Sequence, residues 1–171
     1  MRETFTATLL RLNEVNLNGR IYRDNENLRE SIKDFNDRQK KMGVAYGELG
    51  YPDTFDTNLG NVSHCIKNVR IEGDNVVGDI RVLDTEKGNI LQEKLNEMVI
   101  RPRAAGNTNA DGTVNISRVY SFDAIPKDED SFNPNNAERF REYKAKYDKN
   151  YKVYGKIVSD LDPYGEEHWE E

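Results

Sequence analysis

The chain is short of the residues on which several kinds of chemistry depend. A single cysteine, Cys65, excludes an internal disulfide and a multi-cysteine zinc site. Two histidines, His64 and His168, with scattered carboxylates show no metal-ligand spacing, so no metal and no cofactor is expected. Gly43, Gly47, Gly50 and Gly60 fit neither nucleotide-binding glycine fingerprint. No stretch approaches the roughly 20 apolar residues of a membrane span, and Met1-Arg2-Glu3-Thr4 begins no signal-peptide apolar core. The expectation is a soluble chain, intracellular at synthesis and without a membrane partner, in which the Asn-x-Ser sequons at Asn61 and Asn115 carry no sugar. Twelve Gly and five Pro are too few for low complexity, and there is no internal repeat.

What the chain does have is charge. Of 171 residues, 33% are charged and 36% hydrophobic, with a mean hydropathy of −0.89. That balance suggests a modest core and much solvated or partner-covered surface. The net charge of −6 is unevenly placed: residues 160–171 hold six acids and no Lys or Arg, which leaves 25 acids against 25 bases before them. Just upstream, Arg139, Arg141, Lys144, Lys146, Lys149, Lys152 and Lys156 form a basic run. A basic helix followed by an acidic tail can contact itself, a second copy or another protein, or simply be solvated. The adjacent acids would compete with phosphate, which argues against nucleic acid as the partner.

The pattern predicts strands at about Thr4–Leu12, Val44–Glu48, Val62–Ile71, Val76–Leu83, Val99–Ala105 and Thr113–Ile125, with Pro102 restricting the fifth to an edge. Helices are predicted from Asp24 or Asn25 to Lys41, from Glu86 to Glu97 behind a Thr85 cap, and from Asn136 to about Lys149. Leu28, Ile32 and Phe35 make one apolar stripe, and Ile90, Leu91, Leu95 and Met98 another. This order suits an α+β fold with a largely antiparallel sheet or barrel flanked by helices. Residues 1–126 would form the body, and 127–171 a linker, basic helix and acidic tail serving as an attachment element. Phe140, Tyr143, Tyr147 and Trp169 would supply its partner-binding apolar area.

His64 lies mid-strand in Val62-Ser63-His64-Cys65-Ile66, and strand alternation turns Ser63 and Cys65 to the face opposite the imidazole. Taken alone, it reads as a structural histidine. His168, in the acidic tail beside Trp169, reads as a solvated or interface residue.

Several segments nevertheless resemble one family in order and spacing. Asn16-Leu17-Asn18-Gly19-Arg20-Ile21-Tyr22 is similar to an N-x-N-G-R-x-Y opening, and Gly47-Glu48-Leu49-Gly50-Tyr51-Pro52 to a G-E-L-x-H-P loop. Val62-Ser63-His64-Cys65-Ile66 resembles V-S-H-x-I, Leu83-Asp84-Thr85-Glu86-Lys87-Gly88 resembles L-D-T-P-x-G, and Phe122-Asp123-Ala124-Ile125-Pro126 resembles F-D-x-V-x-x-P. The family is the prohead (capsid maturation) serine proteases of tailed phages, related in fold to the herpesvirus assemblins, and the resemblance spans about residues 4–126.

The resemblance implies that His64 is the general base and Asp123 the acid. The nucleophile pattern, similar to G-V-S-S-R-G-x-G, falls on Val99-Ile100-Arg101-Pro102-Arg103-Ala104-Ala105-Gly106, where Arg101 and Pro102 replace the serines and Tyr51 replaces the loop histidine. A guanidinium cannot attack a carbonyl. Fallback nucleophiles are Ser117 and Ser121, which share strand parity with Asp123. Relocation, however, also requires new oxyanion donors worth about 3 kcal/mol each. The expectation is an inactive protease fold acting as a structural or auxiliary protein of a phage head. It would bind capsid, portal-proximal or scaffold proteins, with self-association a further option, in the host cytoplasm during assembly and then in the virion. The rivals are an active maturation protease with a moved serine and an inhibitor or partner of the active protease.

Overall fold

A computed structural model describes residues 2–50, 52 and 54–147, with side chains described through residue 142. Helix α1 (Glu26–Met42) starts where Asn25, held extended, accepts the Leu28 amide on its side chain at 2.9 Å. Glu26 in its first turn and Lys40 and Lys41 in its last suit the helix dipole. It stops at Gly43, whose φ of 84° is left-handed. Leu28, Ile32 and Phe35 are its buried face.

Strands β1 (Phe5–Arg11), β2 (Tyr46–Glu48), β3 (Val62–Glu72) and β4 (Asn75–Val82) form one antiparallel sheet in the order β1-β4-β3-β2. Strands β5 (Met98–Thr108) and β6 (Val114–Pro126) pair antiparallel as a separate long hairpin. The fold is therefore α+β and antiparallel as expected, with the strands divided between two sheets. A bridge between Leu49 and Ala124 joins them. Pro102, opposite Phe122, lies on a strand paired along one side only, the setting in which a strand tolerates proline.

The core lies between the sheets and under α1, where Phe35 meets Phe122 edge-on at 5.2 Å. Helix α2 (Glu86–Glu93) is capped by Thr85, whose hydroxyl accepts the Gly88 amide at 3.0 Å and donates to the Val62 carbonyl at 2.7 Å. A Cβ at Gly88 would run into the Leu83 carbonyl, so this residue lets the helix lie directly on the strands. The helix is shorter than predicted, because Leu95–Glu97 tightens into a 3-10 turn.

The greatest difference from the sequence reading follows β6. Residues 128–136 were expected to be a linker, yet Asp130, Ser131, Phe132 and Asn136 are buried against the body. Helix α3 (Ala137–Tyr147) buries Phe140 at 4% exposure, so this aromatic is part of the fold rather than free for a partner. Trp169 and the side chains of Tyr143 and Tyr147 lie outside what is described.

Leu91 is fully buried on the face of α2 that meets the strands. Leu91→Ala should lower unfolding free energy by about 2–5 kcal/mol, read by chemical denaturation; an unchanged midpoint would contradict this packing.

Candidate functional site

Strand β3 carries His64 into the interior between β2 and β6, where its exposure is 0%. Its Nε2 lies 2.8 Å from the Phe122 carbonyl. A carbonyl can only accept, so Nε2 carries the proton and Nδ1 is left as an acceptor. The Ser63 hydroxyl, 2.8 Å away, donates to Nδ1. Both ring nitrogens are thus engaged. Burial holds the imidazole down to about 4, against the upward pull of the Phe122 carbonyl, and the nearby Arg103 charge adds a smaller downward push. Gly47 makes the site possible, since a Cβ there would collide with both the His64 ring and the Phe122 carbonyl.

The contact with Ser63 differs from the expected opposite facing. Alternation fixes the direction of Cβ, but a serine Oγ stays close to its own backbone, and the ring of the next residue can turn back to it. Both residues are at 0% exposure, because β3 is covered on both faces here.

Asp123 does not pair with His64 in the described contacts. Its carboxylate accepts Arg103 Nε at 3.0 Å and Nη2 at 3.1 Å, and Oδ1 also takes the Glu48 amide at 2.9 Å. Arg103 further donates to the Phe55 carbonyl (2.7 Å) and Thr57 Oγ1 (3.2 Å), and lies 3.4 Å from Glu48 Oε2. Glu48 in turn accepts the Asn58 amide (3.0 Å) and Asn61 Nδ2 (3.2 Å). One guanidinium thus serves two buried carboxylates. Burial raises Asp123 to about 6 against the pull of Arg103, and the Glu48 charge adds to the rise.

Arg101 turns elsewhere. Its Nε and Nη2 form a two-point pair with Asp130 at 3.0 and 2.8 Å, Nη1 donates to the Thr8 carbonyl at 2.9 Å, and the guanidinium lies 5.6 Å from the Phe132 ring centroid.

The fallback serines do not share a face. The β5–β6 register skips Ser117 and Tyr120 as bulges, and this breaks the parity assumed from sequence. Ser117 is exposed and donates to the Ala105 carbonyl at 3.0 Å, whereas Ser121 is buried and donates to the Tyr46 carbonyl. Among the described residues, no group of His, Cys, Asp and Glu is placed to hold a metal, and no helix is long and apolar enough to cross a membrane.

The buried cluster of Glu48, Arg103 and Asp123 escaped the sequence reading, although each member sits in a segment quoted for the resemblance: G-E-L, the Arg-bearing nucleophile pattern and F-D. Asp130 lies outside all of these segments and had no such signal.

With this geometry in view, the class is clear. A family model described as prohead core protein serine protease matches residues 5–117, and the chain belongs to that family. The fold is similar to that of the bacteriophage T4 capsid assembly protease, gp21, with a TM-score of 0.57 and 21% identity over 71% of this chain and 80% of that one. No curated protein matches the sequence. The chain is thus a prohead-protease family member whose fold is shared with that protease.

The depressed His64 value sets a pH dependence. Between pH 6.5 and about 4 the unfolded chain takes up a proton at this residue that the folded chain refuses, so stability falls as pH falls. Relative to His64→Gln, the native chain should lose about 3 kcal/mol across that window. Denaturation curves at both pH values would read it, and parallel behaviour of the two proteins would contradict the buried neutral imidazole.

Proposed function

We propose that this chain is a catalytically inactive member of the prohead protease family that serves as a structural or auxiliary head protein. It binds capsid, portal-proximal or scaffold proteins in the host cytoplasm and remains in the phage head. The observation that carries this reading is Arg101. At the position where the resemblance calls for a serine stands a buried guanidinium, tied to Asp130 and Thr8. With both ring nitrogens of His64 engaged by Ser63 and Phe122, no base is poised toward a substrate. Asp123, engaged by Arg103 and Glu48, is a structural anion rather than the orienting partner of a base.

A second reading, an active protease with a moved nucleophile, draws on the one serine–imidazole contact described, Ser63 with His64. Both groups have zero exposure, which argues against attack on a bound peptide. Purified protein should therefore cleave no phage scaffold and should not be labelled by a serine-reactive fluorophosphonate. Specific labelling at Ser63, Ser117 or Ser121, abolished by His64→Ala, would overturn the reading.

The attachment surface is assigned to the basic run, which begins on α3, and to the acidic tail that follows it. Removing residues 148–171 takes away Lys149, Lys152, Lys156 and the six tail acids, so the truncated chain should lose incorporation into particles. Normal incorporation would contradict the assignment. A cut at residue 127 is unsuitable for this test, since it removes the buried Asp130, Phe132 and Phe140.

A further inference from the structure

The chain that follows β6 is held in a cradle built from two distant segments. Ser131, fully buried, accepts the Leu17 amide on its carbonyl at 2.9 Å and faces Asn16 Nδ2 at 3.4 Å on its hydroxyl. Asn16 is itself fixed, because its Oδ1 accepts the amides of Asn18 and Arg20, both at 3.0 Å. The Phe132 ring meets Tyr22 at 6.4 Å and lies beneath the Arg101 guanidinium. Asp130 receives Arg101 on both oxygens and also takes the Phe132 amide at 3.1 Å, while its carbonyl accepts Asn136 Nδ2 at 3.0 Å. The N-x-N-G-R-x-Y segment and the residue at the nucleophile position therefore grip the same Asp-Ser-Phe tripeptide.

We infer that Arg101 and Asp130 form a latch: residues 127–147 are a strap that opens from the body as a unit, and this pair controls the opening. The inference rests on the reading of Arg101 as the replacement for the nucleophile. It adds that the position has gained a task, fastening the strap whose helix α3 carries the start of the basic run.

The geometry supports separate opening. The anchors of the strap are concentrated at three consecutive residues and at Phe140, whereas the hairpin of β3 and β4 is bonded along its length within a four-stranded sheet. A segment held at few points opens below the free energy of global unfolding. Opening would expose Arg101, Asn16 and Tyr22 together, while the Glu48–Arg103–Asp123 cluster, whose described bonds go to β2, β5, β6 and residues 55–61, stays intact.

Native-state hydrogen exchange on the full-length chain tests this. Strap amides should exchange with a shallower denaturant dependence than those of β3 and β4, and Asp130→Asn should speed strap exchange about 10- to 100-fold while leaving β3 and β4 unchanged. Strap and strand amides that merge into one global opening in the unmodified chain would overturn the latch. So would an Asp130→Asn protein whose strap exchange is unchanged. If that variant does not fold, the unmodified chain decides alone. Fluorophosphonate labelling would sink the inactive-protease reading without touching the strap, so the two failures are distinguishable.

Discussion

Arg103 is the charge on which the centre of this protein depends. Fully enclosed, it joins Asp123 on its own hairpin to Glu48 at the end of β2 and to the backbone of the following loop at Phe55. Two carboxylates and a guanidinium in a dry interior are costly unless their hydrogen bonds are satisfied, and here the Glu48 amide, the Asn58 amide and Asn61 complete the set. Removing one member strands the others, so the cluster binds the two sheets together more by the cost of breaking it than by its net attraction.

That cluster also defines the environment of His64. Full burial, helped by the nearby guanidinium, keeps the imidazole neutral, and Gly47 leaves just enough room for it to reach the Phe122 carbonyl. On the strand that the family pattern makes the nucleophile's, Arg101 stands in a serine position and Arg103 keeps the arginine of the pattern. Arg103 closes the middle of the molecule, and Arg101 fastens the chain beyond β6. In each, a fixed, always-charged fork suits two-point pairing with a carboxylate.

Much of this was legible in the sequence wherever local chemistry decides. Asn25 and Thr85 are caps, Gly43 ends a helix, Leu28, Ile32 and Phe35 face inward, and Pro102 lies on a singly paired strand, each for the reason its residue type suggests. The family segments placed His64 and Asp123 within the buried centre but did not indicate that Asp123 would turn to Arg103. That choice depends on a third strand, and no spacing along the chain encodes it. Ser117 and Ser121 do not share a face because Ser117 is itself bulged out and a second bulge at Tyr120 lies between them, and alternation shows neither. The strap was misread because Asp128–Asn136 looks polar and turn-rich, while its buried residues are justified only by partners such as Arg101 and Leu17, far away in sequence.

The central claim is that the histidine of this protease fold has no nitrogen free for catalysis. Nitrogen-15 NMR of the imidazoles in the folded full-length protein tests it directly, with His64→Gln assigning the signal. The account predicts a neutral His64 ring with the proton on Nε2, persisting from neutral pH down to about 4. A ring that titrates near the ordinary 6.5, or carries its proton on Nδ1 with Nε2 free, would contradict it.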